Sequence, residues 1–126
     1  MTAQCIISFD CEGKWGISDC IGPHHLADFT NVKLEQTYRD LIAMLDHHHI
    51  KATFGFVTAF TFSREQYHAF AADFRDVMIG SHVWRHQLHL DIQNDTVDGW
   101  FSPESLAIVQ AAGVHEIASH GFTHVI

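Results

Sequence analysis

The sequence predicts an α/β protein whose strands run parallel and are joined by crossover helices. Short apolar runs without a helical period, at residues 4–10, 51–57 and 114–118, read as strands. The segments between them repeat apolar residues at helical spacing. The order strand, helix, strand, helix, helix, strand is that of parallel strands with helical crossovers. Acidic and imidazole side chains also fall just past the strand ends, where α/β folds gather their functional groups.

The first strand, 4–10, ends at Asp10 and is followed by a long loop, 11–31, with three Gly, a Pro and the adjacent His24 and His25. Loops of this length in a compact domain are usually functional. From Val32 to about His48, the spacing of Leu34, Tyr38, Leu41, Ile42 and Leu45 makes one apolar helical face, with Thr30 or Asn31 as its N-cap. Phe54 and Phe56 alternate in the second strand. Ser63 with Gln66 three residues later forms a capping box for a helix whose face is Tyr67, Phe70, Ala71, Phe74, Val77 and Met78. Beyond Gly80 the alternation of Leu88, Leu90 and Ile92 with polar residues predicts a short strand. Ser102-Pro103 opens the next helix and Gly113 closes it, the positions favoured by Pro and by a left-handed residue. Trp100 and Phe101 are expected to pack against that helix. The third main strand leads into a turn over 119–124.

Composition narrows the function. A chain of 126 residues, 47% of them apolar and ten of them Phe, predicts one globular domain spanning 1–126. Seven basic residues against 15 acidic give a net charge of −8. Without a basic cluster, nucleic acid is not an expected partner. No apolar run is long enough to cross a membrane, and no basic segment followed by an apolar stretch opens the sequence. Cys5, Cys11 and Cys20 are then expected as reduced thiols, in a cytoplasmic setting.

Two motifs carry chemistry. The first is Phe9-Asp10-Cys11-Glu12, acids at the tip of an apolar strand. The second is His120-Gly121-Phe122-Thr123-His124, two imidazoles at a spacing that shares one face of a helical turn. A carboxylate and two imidazoles suit a zinc-like divalent ion, with a coordination position left for water. The chain has a rival pair of the same spacing, His82 and His86, which lacks the helix, glycine and strand that precede His120. The run His47-His48-His49 sits at a helix C-terminus, where the dipole favours such side chains. Cys11, between the two acids, reads either as a thiolate ligand or as a small buried apolar residue.

These motifs resemble those of the polysaccharide deacetylase family, metal-dependent N- and O-deacetylases of surface sugars. Phe9-Asp10-Cys11-Glu12 is similar to the family's Phe-Asp-x-Glu/Asp variant, and Ala52-Thr53-Phe54-Gly55-Phe56 to its second strand. Gly113-Val114-His115-Glu116-Ile117-Ala118-Ser119-His120 leads into His124 as in the family's metal motif. The resemblance spans nearly the whole chain and is weak from about Gly80 to Trp100. It implies a parallel-stranded, incomplete (β/α) barrel with Glu12, His120 and His124 holding zinc and Asp10 as general base. Lys14, Trp15, His24 and His25 would lie over the rim as substrate contacts. The implied activity is removal of acetyl groups from a cell-surface or lipopolysaccharide-type sugar. The alternatives are hydrolysis of cyclic amides or imides, as in the allantoinase-like branch, and a non-catalytic metal- and sugar-binding module. The family's later Arg, Asp-Trp and His motifs follow its metal pair, whereas this sequence stops at Ile126. It is therefore expected to be truncated at the C-terminal end, weakly active or inactive alone, and prone to homo-oligomerise through exposed strand edges.

Overall fold

The computed structural model describes residues 4–18, 20–71 and 83–124. It is a mixed α/β structure around an open, three-stranded parallel sheet, with β1 (Ser8–Cys11), β2 (Thr53–Phe56) and β3 (Glu116–Ser119) in the order β1-β2-β3. The register places Phe9, Phe54 and Ile117 side by side, and likewise Asp10, Gly55 and Ala118. Parallel pairing follows from the helices between the strands: α1 (Pro23–Asp28) and α2 (Asn31–His47) precede β2, and α3 (Arg64–Ala69), α4 (Val83–Asn94) and α5 (Pro103–Ala112) precede β3.

Alternation along the strands separates two faces. On one, Phe9 and Phe54 meet with ring centroids 5.3 Å apart, and Tyr38 of α2 lies 6.5 Å from Phe54 and 5.9 Å from Phe56. Helix α2 therefore covers this face, with Ile42 and Leu45 also buried, and packs against α5. The other face carries Ser8, Asp10, Thr53, Gly55, Glu116 and Ala118, small or polar residues that are exposed or half-buried. Both faces of β3 are exposed, including Ile117. Parallel sheets are normally covered on both faces, so this is an uncommonly open one.

From the sheet the same core continues through an aromatic block of Trp15, Phe60, Phe62, Tyr67, Leu88, Trp100 and Phe101. It is held by the 3-10 turns Gly13–Ile17 and Thr58–Thr61 and by the segment before α5. The rings of Trp15 and Trp100 meet edge to face at 5.3 Å, and those of Tyr67 and Phe101 stack at 4.6 Å. Trp100 and Phe101 thus belong to the core under the site, not only to the packing of α5.

Local signals act as their chemistry dictates. Thr30 caps α2, its hydroxyl accepting from Lys33 N at 3.3 Å. The capping box at α3 forms, with Ser63 N donating to Gln66 Oε1 at 2.8 Å. Gly113 closes α5 at φ 70°. Ser102 differs: its hydroxyl pairs with Ser105 Oγ at 2.7 Å in a buried setting and makes no N-terminal cap bond.

Several boundaries are corrected. Residues 4–7 precede β1, and Ile6 is 87% exposed. β3 starts at Glu116, two residues later than the apolar run suggests. Part of the loop after Cys11 is the 3-10 turn and α1. Leu88, Leu90 and Ile92 lie in helix α4, not in a strand. Their pattern is also helical, since Leu88 and Ile92 are four apart, and the i,i+4 pairs Gln87–Asp91 and His89–Gln93 bond at 2.7 and 2.9 Å. Buried Asp91 accepts from the Trp100 indole at 2.8 Å, which ties α4 to the aromatic block. Of the expected α3 face, Phe74, Val77 and Met78 lie outside the described residues, as do His82 and the side chain of His86. Among the described residues, no helix is long and apolar enough to cross a membrane.

Candidate metal centre

The site forms where three local structures meet. β1 ends at Cys11, and Glu12 starts the 3-10 turn that follows. The turn is fixed by Lys14 N donating to Gly99 O at 2.9 Å and by the Trp15 indole donating to Trp100 O at 2.7 Å. On the other side, His120 N continues the β3 ladder by donating to Phe56 O at 2.7 Å. The turn after it is clamped from β2's side: Thr58 N donates to Gly121 O and Ala59 N to Phe122 O, both at 2.9 Å.

This clamp corrects the expectation of a helical turn for the histidine pair. Gly121 and His124 both take left-handed φ, 79° and 52°, so the chain reverses and brings His124 back beside His120. The two rings stand 5.1 Å apart at 36°. Thr123 between them is buried, which anchors the turn. Gly55 lies under His120, where a methyl group would make ordinary contact with His120 Cβ at 3.5 Å.

Glu12 Oε1 lies 2.9 Å from Nε2 of both His120 and His124. These three residues form the one group among the described residues able to hold a metal, with donor atoms within 4.8 Å of one another. His120 Nε2 is buried and has no hydrogen bond, although a carboxylate oxygen is 2.9 Å away. The separation is that of a hydrogen bond but the direction is not, as when lone pairs converge on a common point. Donors about 2.1 Å from a tetrahedral zinc ion stand about 3.4 Å apart, so an ion fits after a small opening of the carboxylate. Asp10 stands at the edge: its Oδ2 is 3.8 Å from His120 Nε2, and its side chain is 64% exposed against 17% for Glu12.

Cys11 points to the other side of the sheet. It is buried, its Sγ lies 3.6 Å from Phe9 O, and it is not in the metal-capable group. Burial first, with the Asp10 and Glu12 charges adding to it and a Tyr38 hydrogen bond opposing, pushes the thiol up to about 11. Buried on the face away from the imidazoles and outside the metal-capable group, Cys11 takes the apolar alternative. Two consequences are measurable. Thiol reagents should label exposed Cys5 and Cys20 in the native protein and Cys11 only after unfolding. The folded thiol keeps its proton to about 11 and an unfolded one to 9.0. The unfolded state thus binds fewer protons in that window, and stability should fall as pH rises through it by up to ~1.4 kcal/mol per pH unit. Cys11→Ala should flatten that slope in alkaline urea titrations.

The expected substrate contacts fare differently. Lys14 and Trp15 are 3% and 0% exposed and do not line the rim. The Lys14 ammonium donates to the Asp98 carbonyl, and burial lowers its pKa against the pull of Asp91 and Asp98. Both side chains hold the turn behind Glu12. His24 and His25 meet at 3.8 Å with their rings tilted by 49° at the start of α1, where His25 Nδ1 accepts from Gly22 N at 3.0 Å. His24 is exposed and neither imidazole joins the metal-capable group.

The residues that frame the site without carrying chemistry were not legible as such. Asn31 accepts from Gly99 N and donates to Phe101 O, both at 2.8 Å, which locks α2 to the segment supporting the Glu12 turn. Its only sequence signal is its place at a helix start. No family model, curated protein or solved structure matches this chain.

Proposed function

We propose that this chain is a metal-dependent hydrolase of the polysaccharide deacetylase type, acting on acetylated surface or lipopolysaccharide-type sugars. The observation that carries the reading is the convergence of Glu12, His120 and His124 with a second carboxylate, Asp10, beside them. The donor set, two imidazoles and one carboxylate, is that of a catalytic zinc site. Such an ion would act as a Lewis acid on the acetyl carbonyl and make water a nucleophile near neutral pH.

The chain's own groups divide the remaining work. Glu12, half-buried between two imidazoles, would hold the ion, and the more exposed Asp10 Oδ2 would be placed to take a proton from water. The small, polar sheet face next to Asp10 offers an open approach for a bulky sugar. In this reading the parallel sheet is the first part of a (β/α) barrel.

The test is acetate release from a panel of acetylated sugars, with ring opening of cyclic imides measured in parallel, on metal-loaded protein. Weak acetate release is expected from the wild type. Asp10→Asn should lower it by ~10²–10⁴-fold with metal content unchanged. Loss of metal in that variant would move Asp10 into the coordination sphere. Activity on imides alone would reassign the substrate to cyclic amides, and silence in both series would leave a metal- and sugar-binding module.

A further inference from the structure

We propose that Gly16 is a positioning residue that seats the Glu12 carboxylate for metal binding, an assignment that rests on the metal reading of the site. Gly16 lies in the 3-10 turn four residues after Glu12. A methyl group at this position would overlap Glu12 Oε2 outright and stand 3.0 Å from Glu12 Cδ and 3.1 Å from its Cβ. The carboxylate is thus held between two surfaces. Oε1 faces the imidazoles of His120 and His124 at 2.9 Å, and Oε2 lies against the bare Cα of Gly16.

The backbone at position 16 does not itself ask for glycine. Gly13 and Gly99 have φ of +54° and +79°, and side chains there would meet main-chain carbonyls, so the backbone explains both. Gly16 is not among the residues of positive φ. Its backbone would accept an L-residue, and alanine suits a helical turn better than glycine does. The three atoms nearest to a side chain at 16 all belong to Glu12. Glycine at this position therefore serves the carboxylate.

The experiment is a double-mutant cycle read by zinc affinity, measured by competition with a chelating dye. It compares wild type, Gly16→Ala, Glu12→Ala and Gly16→Ala/Glu12→Ala, together with the thermal midpoint of each metal-free protein. Gly16→Ala should weaken zinc about 10- to 100-fold, as loss of a supporting contact to a ligand typically does, without lowering the metal-free midpoint. In the Glu12→Ala background the same change should alter affinity by less than about twofold, because the group it displaces is gone. Unchanged affinity in Gly16→Ala, or an equal loss in both backgrounds, would overturn the assignment. Should Gly16→Ala fold poorly, the double variant decides: folding like Glu12→Ala supports the clash with Glu12, and failing to fold overturns it. A wild-type protein that binds no zinc would overturn the metal reading and this assignment together.

Discussion

His120→Ala combined with His124→Ala is expected to take bound zinc from about one ion per chain to near zero while leaving the chain folded. The two imidazoles supply two of the three donors, and a lone carboxylate does not retain a zinc ion against buffer. The fold should survive because the turn is held by other groups. Its clamps are the backbone bonds from Thr58 and Ala59 to Gly121 and Phe122 and the burial of Thr123. The side chains removed are 35% and 29% exposed, and His120 Nε2 has no hydrogen bond to lose. Elemental analysis beside circular dichroism gives the answer. Equal metal in variant and wild type would place the ion elsewhere, and loss of that metal on changing His82 and His86 would name the rival pair.

Trp15→Ala is expected to cost ~3–5 kcal/mol of stability, a large share of the ~5–15 kcal/mol of an ordinary domain. The ring is 0% exposed and meets Trp100 and Phe101 edge to face at 5.3 and 6.0 Å. Its indole also donates to Trp100 O, a buried hydrogen bond that the variant would remove. Trp15→Phe should recover part of the loss, restoring the ring edge but not the N–H. Urea unfolding of the three proteins measures this. A loss below ~1 kcal/mol would mean that the ring is not core, and would return it to the role of a sugar-stacking platform.

Whatever depends on neighbouring residues could be read along the chain. Thr30, the Ser63–Gln66 box and Gly113 act as helix ends because capping is a matter of hydrogen bonds within four residues. The parallel sheet was legible because strands separated by helices have no shorter way to pair. The Asp10–Glu12 and His120–His124 motifs could be singled out because ligand chemistry is a property of residue type. Only the tertiary structure decided what lies between such signals. Leu88, Leu90 and Ile92 satisfy a strand period and a helix period alike, and the bonds from Asp91 to Gln87 and Trp100 favour the helix. Lys14 and Trp15 sit beside Glu12 in the chain yet point into the core, because their partners Asp98 and Trp100 lie more than eighty residues away. Cys11 faces Tyr38 and not the acids on either side of it, since successive strand residues point to opposite faces. The same holds for Gly16, whose missing side chain has meaning only once the Glu12 carboxylate is known to lie across it.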